Sequence, residues 1–132
     1  MSTYYEKVKQ FLIELEIPIT REMPDEEMLI VDDEENAIKN LVIDCEDPIV
    51  IIEQMIMKVP GFNTDEFFKR LLQINRTLVH GAFVLDEEGK AVLFRDTLQL
   101  ENLDKNELEG TIRALSLGLA EYASELIEYS KK

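Results

Sequence analysis

The chain has 132 residues, of which 28 are acidic and 14 are basic, so its formal charge at neutral pH is −14. That charge repels nucleic-acid phosphates and anionic lipid headgroups, so we expect neither nucleic acid nor a membrane surface as a partner. The single cysteine, Cys45, has no second cysteine to pair with, and no apolar run approaches the roughly 20 residues of a membrane span. We therefore expect one cytoplasmic domain over residues 1–132, large enough to bury a core of its own.

A helix is predicted near the N-terminus, because apolar residues recur there at the three-and-four spacing of one helix face. These residues are Val8, Phe11, Leu12 and Leu15. Pro18 ends the helix. The segment from Ile17 to Asp25 carries two prolines and no sustained periodicity, so it is predicted to be a connector.

Three strands are predicted next, and they cover Met28 to Val31, Leu41 to Cys45, and Ile49 to Met57. The polar run from Asp32 to Asn36 predicts a solvated turn between the first two strands. The third strand is apolar at alternate positions on both faces. This pattern is typical of a central strand, or of a strand with one face reserved for another surface.

A second helix is predicted from Thr64, and a β-hairpin follows it. Gly89 is the residue best able to adopt the positive φ that closes the turn from Asp86 to Gly89. We expect the inner face of the hairpin to lie on the last helix, with one shared set of buried residues. This predicted core consists of Phe83, Leu85, Val92, Phe94, Leu115 and Leu119.

The last helix is predicted to begin after an Asp104 cap, and it carries two apolar lines. The main line is a strict seam of residues four and three apart: Leu108, Ile112, Leu115, Leu119, Tyr122, Leu126 and Tyr129. A weaker line beside it comprises Leu117, Ala120, Ser124 and Ile127. Gly110 and Gly118 lie inside this helix, and they indicate either a tolerated irregularity or the close approach of a second helix or strand.

The predicted order is α-β-β-β-α-β-β-α, an α+β domain in which an antiparallel sheet packs against helices. The sequence contains one histidine, His80, and no glycine-rich phosphate loop or calcium-loop pattern. We therefore predict no catalytic residues, no metal site, no cofactor and no enzymatic activity.

The chain resembles proteins with the type III secretion chaperone-like fold. The resemblance rests on its element order, size, acidity and capped last helix, and on the hairpin sequence GAFVLDEEGKAVLFRDTLQLENLD. Within that fold it is most similar to the YbjN-type sensory transduction regulators, alongside the Tir-chaperone family. The resemblance implies a cytoplasmic homodimer without enzymatic activity. In the secretion-chaperone branch it also implies an extended partner peptide held on exposed apolar surface.

Two functions remain open from the sequence: a module that binds an apolar segment of a partner protein, and a regulatory or structural homodimer without a peptide client. Methionine side chains adapt to unlike partners, so strand-end methionines are candidates for a contact surface. The residues predicted for the partner-binding or dimer surface are Met55, Ile56, Met57, Leu117 and Ile127.

Overall fold

The computed structural model describes residues 3–131. Three helices and six strands alternate along the chain in the order α1, β1 to β4, α2, β5, β6, α3. The helices are α1 (Thr3–Glu14), α2 (Thr64–Asn75) and α3 (Lys105–Glu128). The strands are β1 (Ile19–Met23), β2 (Met28–Asp33), β3 (Ile38–Glu46), β4 (Ile49–Lys58), β5 (Ala82–Leu85) and β6 (Ala91–Gln99).

The predicted α+β class and antiparallel sheet are confirmed, with one additional strand. The segment expected to be a connector contains β1, which pairs with β2 at the edge of the sheet. Its sequence, ITREM, is polar at its three central positions, and those residues are exposed. Because an edge strand with little buried surface needs few apolar residues, periodicity carries no signal for it.

The strands form one antiparallel sheet in the order β1-β2-β3-β4-β6-β5, which places β4 in the interior as its two-faced apolar pattern predicted. The buried apolar side chains of the helices and of one sheet face form a single core. On the opposite face, alternate residues such as Val42, Ile51 and Leu93 stay partly exposed. One face of the sheet is therefore covered by helices and the other is open.

The β5–β6 hairpin has the predicted register, with Phe83 opposite Phe94 and Leu85 opposite Val92. Gly89 closes its turn with a φ of +72°. Phe83 and Phe94 pack edge to face with ring centroids 6.1 Å apart. Five of the six predicted core residues are buried, but the prediction for Leu85 was wrong, because its side chain is 40% exposed at the end of a short edge strand.

Helix α3 begins with the predicted Asp104 cap, which forms a reciprocal capping box with Glu107. The seam from Leu108 to Leu126 is buried. An added Cβ at Gly118 would lie 3.4 Å from the Leu78 side chain, and one at Gly110 would lie 3.4 Å from His80. The glycines are therefore packed mainly against the segment between α2 and β5, and Phe83 of β5 also lies 4.0 Å from the added Cβ at Gly118.

Candidate functional site

An apolar groove of about 650 Å³ lies between the start of β3 and the end of β4, with α3 as its third wall. Its strand side includes Ile38 and the run from Met55 to Met57. Its helix side consists of Leu119, Ala120, Ala123, Leu126 and Ile127. Glu34 and Lys39 are the two charged residues among the described residues that line it.

The groove exists because β3 and β4 separate before β4 ends. Their pairing stops at Val42 opposite Glu53, whereas the pairing of β4 with β6 continues to Lys58 opposite Ala91. A β-bulge between Met55 and Met57 shifts the register of β4 at this point. The stretch of β4 from Gln54 to Lys58 therefore has a neighbouring strand on one side only.

Gln54 holds the two separated strands at a fixed distance. Its side-chain Nε2 donates to the Ala37 carbonyl at 3.1 Å, and its Oε1 accepts from the Lys39 backbone N–H at 3.0 Å. The Gln54 side chain is buried, so these bonds satisfy polar groups that would otherwise carry a desolvation cost. At the base of the groove, the Gln54 side chain therefore bonds to the β3 side in place of the backbone hydrogen bonds that would pair β3 with β4.

The groove brings together four of the five residues predicted for the contact surface. Met55 is 53% exposed, Ile127 is 46% exposed, and Ile56 and Met57 are partly exposed beside them. Leu117 is 68% exposed but does not line the groove. It lies ten residues before Ile127, about 15 Å along α3, which is too far for the two side chains to meet.

The free edge of β5 is closed by a side chain from α2. Asn75 Nδ2 donates to the Phe83 carbonyl at 3.0 Å, and the Phe83 N–H donates to Asn75 Oδ1 at 2.8 Å. The amide thereby occupies both backbone groups with which another chain would pair at Phe83. Periodicity could not indicate Asn75 or Gln54, since each acts on backbone distant in sequence.

The described residues present no group of three or more histidine, cysteine, aspartate or glutamate side chains that could hold a metal ion. Cys45 is buried, and burial together with the nearby Glu27, Asp44 and Glu46 carboxylates raises the pKa of its thiol to about 12. A thiol with so high a pKa is protonated at neutral pH and is a poor nucleophile. Within residues 3–131, every helix is too short or too polar to be a membrane-span candidate.

Comparison with solved structures supports the fold. YbjN from E. coli superposes with a TM-score of 0.68 at 13% identity, covering 91% of each chain. A chain of the ExoU–SpcU heterodimer from the type III secretion system of Pseudomonas aeruginosa gives 0.66 at 17% identity, covering 91% of this chain and 94% of that one. The Yersinia pestis type III secretion chaperone SycH, solved with a fragment of YscM2, gives a TM-score of 0.55 at 15% identity, covering 97% of this chain and 100% of that one.

No curated protein matches the chain. The profile of the CesT_Tir_1 family, however, matches residues 1–132. The fold is the one that the hairpin and the element order predicted, and the match spans the whole sequence. The chain belongs to the CesT_Tir_1 family and has the type III secretion chaperone-like, YbjN-type fold.

Proposed function

We propose that the protein is a non-catalytic, chaperone-like module that holds an apolar segment of a partner protein in the groove between β3, β4 and α3. The observation that carries the proposal is the separation of β3 from β4 over an apolar groove. A backbone stretch with no strand on one of its two sides can form main-chain hydrogen bonds to an extended segment there, and flanking pockets can then take alternate side chains.

The side chains of the groove favour a protein segment over a small metabolite. Met55 and Met57 are unbranched and polarizable, so they can pack against unlike side chains. A site for one small polar molecule would instead need several convergent polar groups, and Gln54 already has both of its polar atoms bonded to backbone. SpcU and SycH are each described in a complex with another protein, which supports the same class of function.

The net charge of −14 indicates the chemistry of the partner. An acidic surface attracts a segment whose apolar residues are flanked by basic ones, and association with it is faster at low salt. A cytoplasmic location is part of the proposal, because the buried Cys45 is the only cysteine and a reducing compartment suits it.

A matched pair of variants tests this function. Ile127→Glu places a carboxylate in the groove, whereas Leu117→Glu places the same group on α3 outside it. With each variant as bait in the native lysate, we expect one stoichiometric partner to be retained by wild type and Leu117→Glu and lost with Ile127→Glu. Equal retention by both variants would place the contact elsewhere.

The second candidate function is a regulatory or structural homodimer, and exposed apolar side chains outside the groove favour it. Leu72, Val79 and Leu117 are among the most exposed large apolar residues of the described chain. Exposed apolar surface of this kind marks interfaces when it is contiguous. Light scattering distinguishes the two states, since a monomer has a mass of 15.3 kDa. A dimer mass that Leu117→Glu reduces to the monomer value would assign this surface to self-association.

A further inference from the structure

The open face of the sheet carries a shallow depression of about 520 Å³, lined by apolar side chains together with the carboxylates of Asp44 and Glu53. Asp44 on β3 lies directly between Met28 on β2 and Ile51 on β4. Val42 and Leu93 line the depression beside them. An ionised group surrounded by apolar side chains loses hydration, so the position is unfavourable for a carboxylate unless a cation or donor joins it.

The Asp44 side chain is in hydrogen-bonding contact with another acid, Glu46, and pairs with no basic side chain among residues 3–131. Its Oδ1 is buried and accepts no hydrogen bond within the described chain. The charged groups facing it are acids: Glu46 on its own strand, Glu26 before β2, and Glu53 on β4. Arg95 on β6 lines the same depression, but its guanidinium donates to Glu53 at 2.9 Å.

The depression is continuous with the groove, because Met55 and Asn40 line both. A segment leaving the groove past Met55 therefore reaches the open face, on which Asp44 lies opposite Ile51, four residues along β4 from Met55. A second copy of the chain would bring further negative charge to a face that already holds several carboxylates, whereas a basic side chain would neutralise it. A metal ion would need more ligands than the described residues group together.

We propose that the open face receives a lysine or arginine side chain of the partner segment, with the partly buried Asp44 carboxylate as its counter-ion. The inference rests on the proposed function, since it assigns the partner as an apolar segment that carries a basic residue a few positions from its groove-bound part. Burial and the neighbouring Glu46, Glu26 and Glu53 raise the pKa of Asp44 to about 6. The bound cation stabilises the ionised carboxylate, so binding weakens as the pH falls through that value.

Selection from a displayed library of short random peptides tests the inference, with wild type, Asp44→Asn and Ile127→Glu immobilised near neutral pH. We expect wild type to enrich apolar sequences with lysine or arginine at one fixed spacing. Asp44→Asn should enrich the same apolar pattern without the basic position, and Ile127→Glu should lose the apolar pattern.

One enriched peptide, resynthesised with a fluorescent label, then gives dissociation constants by anisotropy. Replacing its basic residue by glutamine should weaken binding to wild type about tenfold, as expected for a charge-assisted hydrogen bond, and leave binding to Asp44→Asn unchanged. The wild-type affinity should also fall at about pH 5, while that of Asp44→Asn should not.

Two results would overturn the inference and leave the groove function standing. One is a wild-type selection of apolar peptides without a fixed basic position. The other is an equal preference for basic residues by Asp44→Asn. If wild type enriches no apolar pattern beyond that of Ile127→Glu, both the inference and the groove function fail.

Discussion

Replacing Asp44 by asparagine should stabilise the protein at neutral pH. Asparagine has nearly the same shape as aspartate, but it cannot ionise. The pKa of Asp44 is raised from its ordinary 3.8 to about 6, chiefly because the carboxyl is buried and then because acids surround it. The folded state therefore keeps a proton that the unfolded state has released between about pH 4 and pH 6. Stability falls as the pH rises through that window, and asparagine removes the loss.

The size of the effect follows from the shift. A pKa shift of roughly two units would change the free energy of unfolding by about 3 kcal/mol if the carboxyl were fully shielded from water. Asp44 is only partly buried as a residue, so screening by solvent reduces the expected gain to about 1–2 kcal/mol. The gain should be complete near pH 7 and absent below about pH 4, where the carboxyl is protonated in both states.

Urea unfolding followed by circular dichroism across this pH range measures the effect, and Asp86→Asn is the matched control. Asp86 accepts hydrogen bonds from the Lys90 and Ala91 N–H groups, which lower its pKa. Asp86→Asn should therefore destabilise the fold above the ordinary aspartate pKa and lose its effect in acid. A loss of stability in Asp44→Asn near pH 7, or a gain that persists unchanged at pH 4, would refute the reasoning.

Four further variants test packing within the fold. Gly81→Ala should lower the free energy of unfolding by about 3 kcal/mol, because the φ of Gly81 is +71° and the new methyl overlaps the Phe94 ring. Gly89 also has a positive φ, but open space lies beside it, so Gly89→Ala should lower the free energy of unfolding by only about 1 kcal/mol. If thermal unfolding shows equal losses of stability for these two variants, the overlap with the Phe94 ring is excluded. Gln54→Leu should cost about 2 kcal/mol by removing the partners of two backbone groups, and amide exchange at the groove should rise with it. Gly110→Ala should raise stability by about 0.5–1 kcal/mol through helix propensity, since its new methyl meets only the exposed His80 side chain. A lower midpoint of thermal unfolding would show that His80 cannot move away.

The sequence pattern predicts some of the groove residues but not their arrangement. Met55, Met57 and Ile127 are predicted as surface because they add apolar character beyond what one core face requires, and the structure places them together. Leu117 is grouped with Ile127 by helical period alone. A period reports the side of a helix, but it does not report which part of that side faces a neighbour.

Local regularity in the sequence determines most of the fold. The seam of α3, the Asp104 cap, the Gly89 turn and the two-faced strand β4 each depend on residues close to one another along the chain. Hydrophobic period and turn chemistry therefore specify them.

Only the tertiary structure decides where the sheet opens and what its open face holds. The separation of β3 from β4 is fixed by Gln54 bonding to backbone 15 and 17 residues away, and the closure of the β5 edge by Asn75 is likewise a contact between separate elements. Asp44 reads in the sequence as one of 28 acids. Its pKa is raised chiefly by burial and then by the acids Glu46, Glu26 and Glu53. Both the burial between Met28 and Ile51 and the approach of Glu26 and Glu53 require that three strands have paired.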